Sequence, residues 1–190
     1  MTFGGEPLLY PDIVASVMCA AREVGVARRQ VITNGCFTRD LDRIRTVARQ
    51  LAECGVNDLL LSVDAFHQET LPLQTVMAFA DAAIACGIPL RLSPAWLVGE
   101  TADNHYNRKT RALLACFADR GIPVGAGNVI FPSGNACRYL AEYFVGDIPE
   151  NPYAEDPHNV RCVSFSPNGD VLGDNVYRRD IMEILSRYHP

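Results

Sequence analysis

Close cysteine pairs are missing from this 190-residue chain. Its seven cysteines stand at 19, 36, 54, 86, 116, 137 and 162, and no two of them form a Cys-x-x-Cys spacing. That pattern indicates neither a disulfide framework nor a compact zinc site. Cys19, Cys54, Cys86, Cys116 and Cys137 fall in expected helices, where a thiol acts as a small buried hydrophobe. Only Cys36 and Cys162 lie where chemistry is expected. Basic charge is also short: 17 Lys and Arg face 22 Asp and Glu, a net charge of −5, which argues against a sequence-independent nucleic-acid binder. No apolar run approaches the roughly 20 residues that span a bilayer. No basic n-region opens the chain. The expected compartment is the cytoplasm.

What is present is an ordinary globular mix, 48% hydrophobic and 21% charged, carrying a repeat of strand then helix. Apolar helical patterns end at Gly25, Gly55, Gly87, Gly121 and Gly146, each suited to a left-handed C-cap. After the first four comes a β-rich run: 30–33, 58–63, 88–92 and 123–129. Helices are expected over about 12–24, 40–54, from 71–73 through Ile84, 107–120 and 134–145. Ile13, Val14, Val17, Met18 and Ala21 stripe the first of them, and Leu41, Ile44, Val47, Ala48 and Leu51 the second. Arg39, Arg43, Arg45 and Arg49 form a solvated face of the second. Strands alternating with helices predict an α/β fold with a parallel sheet covered by helices. Residues 160–165 and 170–172, joined by a Pro-Asn-Gly turn, predict a C-terminal hairpin, with a short final helix over about 180–188.

In parallel βα folds, ligands sit at the C-terminal ends of the strands. The first such end reads Gly4-Gly5-Glu6-Pro7, after a short strand at Thr2 and Phe3. The glycines bring backbone close to a ligand, and Glu6 offers a carboxylate to a cation such as an ammonium group; the tetrapeptide also suits a tight turn. The second end is Thr33-Asn34-Gly35-Cys36. The third carries Ser62 and Asp64, two apart and so on one face, a pairing that suits a ribose; Asp64 is equally suited to capping the next helix. The fourth carries Arg91 and Ser93. The Arg91 fork suits a carboxylate or an ion pair between strands.

These ends resemble, in order and in content, the radical SAM family, whose members cleave S-adenosylmethionine at an iron–sulfur cluster. The GGEP, TNG and SVDAF motifs carry the resemblance. It implies an incomplete (β/α) partial TIM barrel over 1–146, with its first βα unit missing, and a C-terminal extension with a hairpin and helix over 147–190. By the same resemblance Gly4, Gly5 and Glu6 receive the methionyl ammonium of the S-adenosylmethionine and Asn34 lines the pocket. Ser62 and Asp64 hold the ribose, Arg91 and Ser93 sit near the carboxylate, and the strand at Gly127–Ile130 meets adenine.

The tail from Cys162 to Val171 is similar to the SPASM or twitch hairpins that hold auxiliary clusters, but Gly173-Asp174-Asn175 replaces their second Cys. One thiolate does not hold a cluster normally bound by four, so a structural hairpin is expected there. The family's Cys-x-x-x-Cys-x-x-Cys is also absent, so this chain does not ligate the 4Fe-4S cluster of the full-length family, and no metal ligands are assigned. The expected role is the C-terminal portion of a radical SAM enzyme, inactive by itself, with Met1 an internal start and an upstream fragment as the partner that completes it. A different class is a non-catalytic remnant that binds a ligand or a partner through its exposed edge. A third is a metal hydrolase using Asp64, His67 and His105. The substrate, peptide or small molecule, is not legible; no nucleic acid or membrane partner is expected.

Overall fold

A computed structural model describes residues 1–2, 4–145, 151, 153–154 and 156–189, and these fall into two compact units, Met1–Pro149 and Glu150–Pro190. The expected domain boundary at 146/147, the Gly146 cap and the Phe3 strand residue lie outside the described residues.

In the first unit, strands β1 (Gln30–Thr33), β2 (Asp58–Ser62) and β3 (Leu90–Ser93) form a parallel sheet in that order. Val31 pairs with Leu59, and Leu61 with Leu92. The linking helices are α1 (Pro11–Glu23), α2 (Leu41–Glu53) and α3 (Leu73–Ala85). Period-2 alternation sorts β2: Leu59 and Leu61 are fully buried, whereas Asp58, Leu60 and Ser62 are half-buried. The buried set packs with Ile44, Val47 and Leu51 of α2 and Val76, Phe79 and Ala83 of α3 in one core cluster. Each such large apolar side chain removed from water contributes about 1.5–3 kcal/mol. Asp40 caps α2 by accepting hydrogen bonds from Asp42 and Arg43 N–H at 2.9 and 3.2 Å. Gly25, Gly55, Gly87 and Gly121 all have positive φ at the expected helix ends.

The expected partial TIM barrel is not formed. The chain builds small separate sheets of two or three strands instead. Pro94 supplies the physical reason, because it has no N–H to continue the ladder. Strand β3 stops at Ser93, and the chain restarts as β4 (Ala95–Leu97), which pairs in parallel with β5 (Asn128–Ile130) rather than with β2. Of the strand expected over 123–129, only the end forms, as part of β5, with an isolated bridge from Leu92 to Val124 before it, and an isolated bridge, Thr2 to Val31, stands at the other edge. A closed barrel needs strand number, tilt and stagger to agree around the whole circuit, and runs of three to five residues broken by a proline do not provide that.

Two helical expectations also shorten. The fourth helix is α4 (His105–Ala115) followed by a separate 3-10 turn at Ala118–Arg120, and the fifth is α5 (Asn135–Tyr139) followed by a 3-10 turn at Ala141–Tyr143. In α1 the buried residues are Pro11, Val14, Ala15 and Met18, while Ile13 and Val17 stay exposed. Cys19 and Cys54 do not act as separate buried hydrophobes: a disulfide joins them, with Cα atoms 4.5 Å apart, because the packing of α1 on α2 brings together residues 35 positions apart. Cys116 and Cys137 are exposed thiols rather than buried ones.

In the second unit the hairpin is tighter than expected. Strand β6 (Asp170–Val171) pairs antiparallel with β7 (Asp174–Asn175), not with residues 160–165. Asn175 accounts for the shift: its Nδ2 donates to the Asn168 carbonyl and to Asp170 Oδ1, both at 2.9 Å. Helix α6 (Ile181–Arg187) follows, capped by Asp180, and Val171 and Ile184 are the buried hydrophobic residues of this unit.

Candidate functional site at the strand ends

Gly4 and Gly5 have φ of +90° and +57°, and a Cβ at either would meet open space. What these positions require is the left-handed backbone, which other L-residues adopt at a cost of roughly 1–2 kcal/mol each. The double turn delivers Glu6 to the start of a 3-10 turn at Pro7–Leu9, where Oε1 accepts from Leu8 N–H at 2.9 Å. The same carboxylate reaches the end of β1. Oε1 accepts from Thr33 Oγ1 at 2.6 Å, and Oε2 accepts from Asn34 N–H at 2.7 Å. Thr33 Oγ1 in turn accepts from Gly35 N–H, and Asn34 Oδ1 from Cys36 N–H. Glu6 therefore ties the GGEP loop to the TNG loop, and three of its roughly four lone-pair positions are used.

Asp64 has the matching role at the end of the neighbouring strand, β2. It is completely buried. Its Oδ1 accepts from Phe66 and His67 N–H at 3.0 and 2.9 Å, and its Oδ2 accepts from Ala95 N–H at 3.2 Å. The fourth position of Oδ2 meets His67 Nδ1 at 2.8 Å. The Ala95 N–H is the first one after Pro94, so Asp64 joins β2 to β4 where the sheet ladder is broken. All four lone-pair positions are taken, and the hydroxyls of Ser62 and Ser93, paired in register across β2 and β3, are the groups left over beside it.

His67 is the residue whose placement the strand-end pattern did not specify. It lies three residues after Asp64, the spacing at which an Asx-type turn brings a side chain back over the carboxylate. Its side chain is 38% exposed, while Asp64's is 0%. The hydrogen bond that His67 Nδ1 donates to the Asp64 carboxylate raises the pKa of His67 above the ordinary 6.5; burial opposes this, and the charges of Asp64 and Glu6 add to it. Glu6 and Asp64 thus act on one imidazole. Nε2 makes no hydrogen bond among the described residues, which leaves it as a donor or acceptor at the sheet's C-terminal edge.

Arg91 is not brought to this edge. Its Nη2 pairs with Asp58 Oδ2 at 3.1 Å, at the opposite end of β2, where Arg28 Nε also donates to Asp58 at 2.6 Å and Gln30 Nε2 donates as well. Burial disfavours charge on Asp58, but these hydrogen bonds and the charges of Arg91 and Arg28 outweigh it and hold the carboxyl below its ordinary 3.8. The ion pair between strands is therefore what Arg91 forms. Ser93, by contrast, sits at the C-terminal edge, only 9% exposed. Gly127–Ile130 lies beside it through β5, with Asn128 N–H donating to the Pro94 carbonyl at 2.8 Å.

An iron–sulfur cluster does not fit these residues. Among the described residues no group of three His, Cys, Asp or Glu side chains is placed to hold a metal ion, and His105 packs on Tyr106 at 5.6 Å between ring centres rather than joining Asp64 and His67. The Gly4 and Gly5 carbonyls accept no backbone hydrogen bond among the described residues. Two cavities of about 440 and 400 Å³ lie elsewhere, the first between α2 and α3 around Ile44, Arg49 and Ala82, the second around Trp96, Arg111 and Phe117. No described helix is long and apolar enough to cross a membrane. No family model and no curated protein matches this chain.

Proposed function

We propose that this chain supplies the S-adenosylmethionine-binding portion of a radical SAM enzyme. One observation carries the reading: three motifs far apart in sequence, Glu6 of GGEP, Thr33-Asn34 of TNG and Ser62 with Asp64 of SVDAF, stand side by side along one sheet edge. Glu6 bonds directly to Thr33 and Asn34 and contributes its charge to the imidazole that Asp64 holds. Backbone carbonyls of Gly4 and Gly5 and the last lone pair of Glu6 form an acceptor set for the methionyl ammonium. Ser62 and Ser93 offer hydroxyls to the ribose. Asp64 serves these groups indirectly, by fixing the loop and His67. The bound molecule supplies the sulfonium on which the family's radical chemistry depends. That chemistry needs cluster ligands from outside this chain, so its own share is binding.

A second reading, a non-catalytic module that binds a ligand or partner, draws on the missing thiolate trio. Titration calorimetry separates the two from a chain that binds nothing. Adenosylmethionine is expected to release heat, and the Ser62→Ala and Ser93→Ala changes to weaken binding about five- to tenfold each, the value of about 1 kcal/mol per neutral hydrogen bond. Arg91→Ala is expected to leave affinity unchanged. Absence of heat and of any thermal-melt shift at saturating ligand would remove the adenosylmethionine reading.

A further inference from the structure

With Glu6 taking the ligand's ammonium on its last lone pair, the other half of the amino-acid head lacks a partner. That head is a zwitterion, its ammonium and its carboxylate borne on the same carbon, so the carboxylate comes to lie near Glu6. Like charges repel there unless a cation stands beside them. Arg91 is not that cation, because Asp58 holds it at the opposite end of β2 together with Arg28. His67 is at the right edge. Its Nδ1 is bonded to the fully buried Asp64 at 2.8 Å, which fixes the ring, so the proton that charges it goes to Nε2, on a side chain 38% exposed. Glu6 is within electrostatic reach of the same imidazole.

We infer that His67 receives the α-carboxylate of the ligand while Glu6 receives its ammonium, so that this edge recognises an α-amino-acid head as a unit. The inference rests on the adenosylmethionine reading above and assigns the half of the head which that reading leaves open. An imidazolium gives a carboxylate a charge-assisted hydrogen bond, and Asp64 balances the ring's charge from behind. The charges that act on the ring are those of Asp64, from its own loop, and of Glu6, from the loop after Gly5. Glu69, on the same turn, is exposed. His105 and Tyr106 of α4 pack on each other, and Tyr106 stacks on Phe66. Both nearby carboxylates favour the imidazolium, so its population extends above pH 6.5 and is lost as pH rises through the folded value.

Calorimetry with S-adenosylmethionine and with its decarboxylated analogue, the amine that lacks only the carboxylate, tests it. At pH 6 the parent chain is expected to bind S-adenosylmethionine about tenfold more tightly than the analogue. His67→Gln should weaken S-adenosylmethionine about tenfold at pH 6 and by less as pH rises, and should leave the analogue within about twofold. Comparing parent and variant with one ligand cancels the titration of the ligand's own amine. On the parent chain alone, the NMR midpoint of the His67 imidazole should rise by about one pH unit with saturating S-adenosylmethionine and should not rise with the analogue, because a tenfold preference for the imidazolium is reciprocal. Equal affinity for the two ligands, S-adenosylmethionine binding indifferent to His67→Gln, or a midpoint that the ligand does not raise would overturn the inference and leave the binding reading standing. No heat and no melt shift with either ligand would remove both.

Discussion

The two ends of β2 carry one aspartate each, and the two are satisfied in opposite ways. At the N-terminal end Asp58 faces two cations, Arg28 and Arg91, and the neutral amide of Gln30, with the Arg28 side chain 65% exposed. At the C-terminal end Asp64 faces backbone N–H groups and one imidazole, with no exposure of its own. Long flexible side chains in contact with water hold a strand end loosely and respond to salt. Backbone N–H groups fixed by the chain hold it with defined geometry. The end that orients loops is therefore the end built from amides, and the end that only secures strand pairing is built from charge.

Asp64→Ala is expected to break this contrast most severely. It strands three half-buried N–H groups and the His67 ring, at about 1 kcal/mol for each group left unsatisfied, so a loss of about 3 kcal/mol in urea unfolding is expected. Asp64→Asn keeps one acceptor oxygen and should cost roughly half as much. Gly35→Ala tests the same edge through shape. Gly35 has φ of +69°, and a Cβ there would lie 2.8 Å from Leu61 Cδ1 and 3.1 Å from Phe79 Cδ1, so about 2 kcal/mol is expected from backbone strain and crowding. At the other end Asp58→Asn should cost only about 1 kcal/mol, and less in high salt.

Titration sharpens the contrast further, with the smallest effects. The Asp58 pKa is lowered on folding, so its contribution is present above the unfolded value of 3.8 and is lost as pH falls through the folded value. The His67 pKa is raised, so its contribution is complete below the unfolded value of 6.5 and is lost as pH rises through the folded value. The stability difference between the parent and His67→Gln should therefore shrink with rising pH above 6.5. A difference that stayed constant would mean that the Asp64–His67 pair does not exist in solution.

Much of the local structure was legible because it depends on neighbours along the chain. The caps at Gly25, Gly55, Gly87 and Gly121, the β1 limits and four of the five stripe positions of α2, Ile44, Val47, Ala48 and Leu51, follow from dihedral preference and from a period of 3.6, whereas Leu41 at the helix start is exposed. The polar strand ends were legible for the same reason. Arg91 was not, because its two open roles differ only in which way a long side chain turns, and Asp58 decides that from 33 residues away. Nor was the Cys19–Cys54 link, which depends on how two helices pack.

The sequence by itself determined the alternation of strands and helices, the capping residues and the cluster of polar groups where strands stop, since each is set by residues within one turn or one strand of one another. Only the tertiary structure decided that the strands separate into small sheets at Pro94, that Asp64 holds backbone and His67, and that the outer stripe of α1 lies uncovered. Those outcomes turn on which long-range partners are within hydrogen-bond or contact distance, and no local periodicity carries that information.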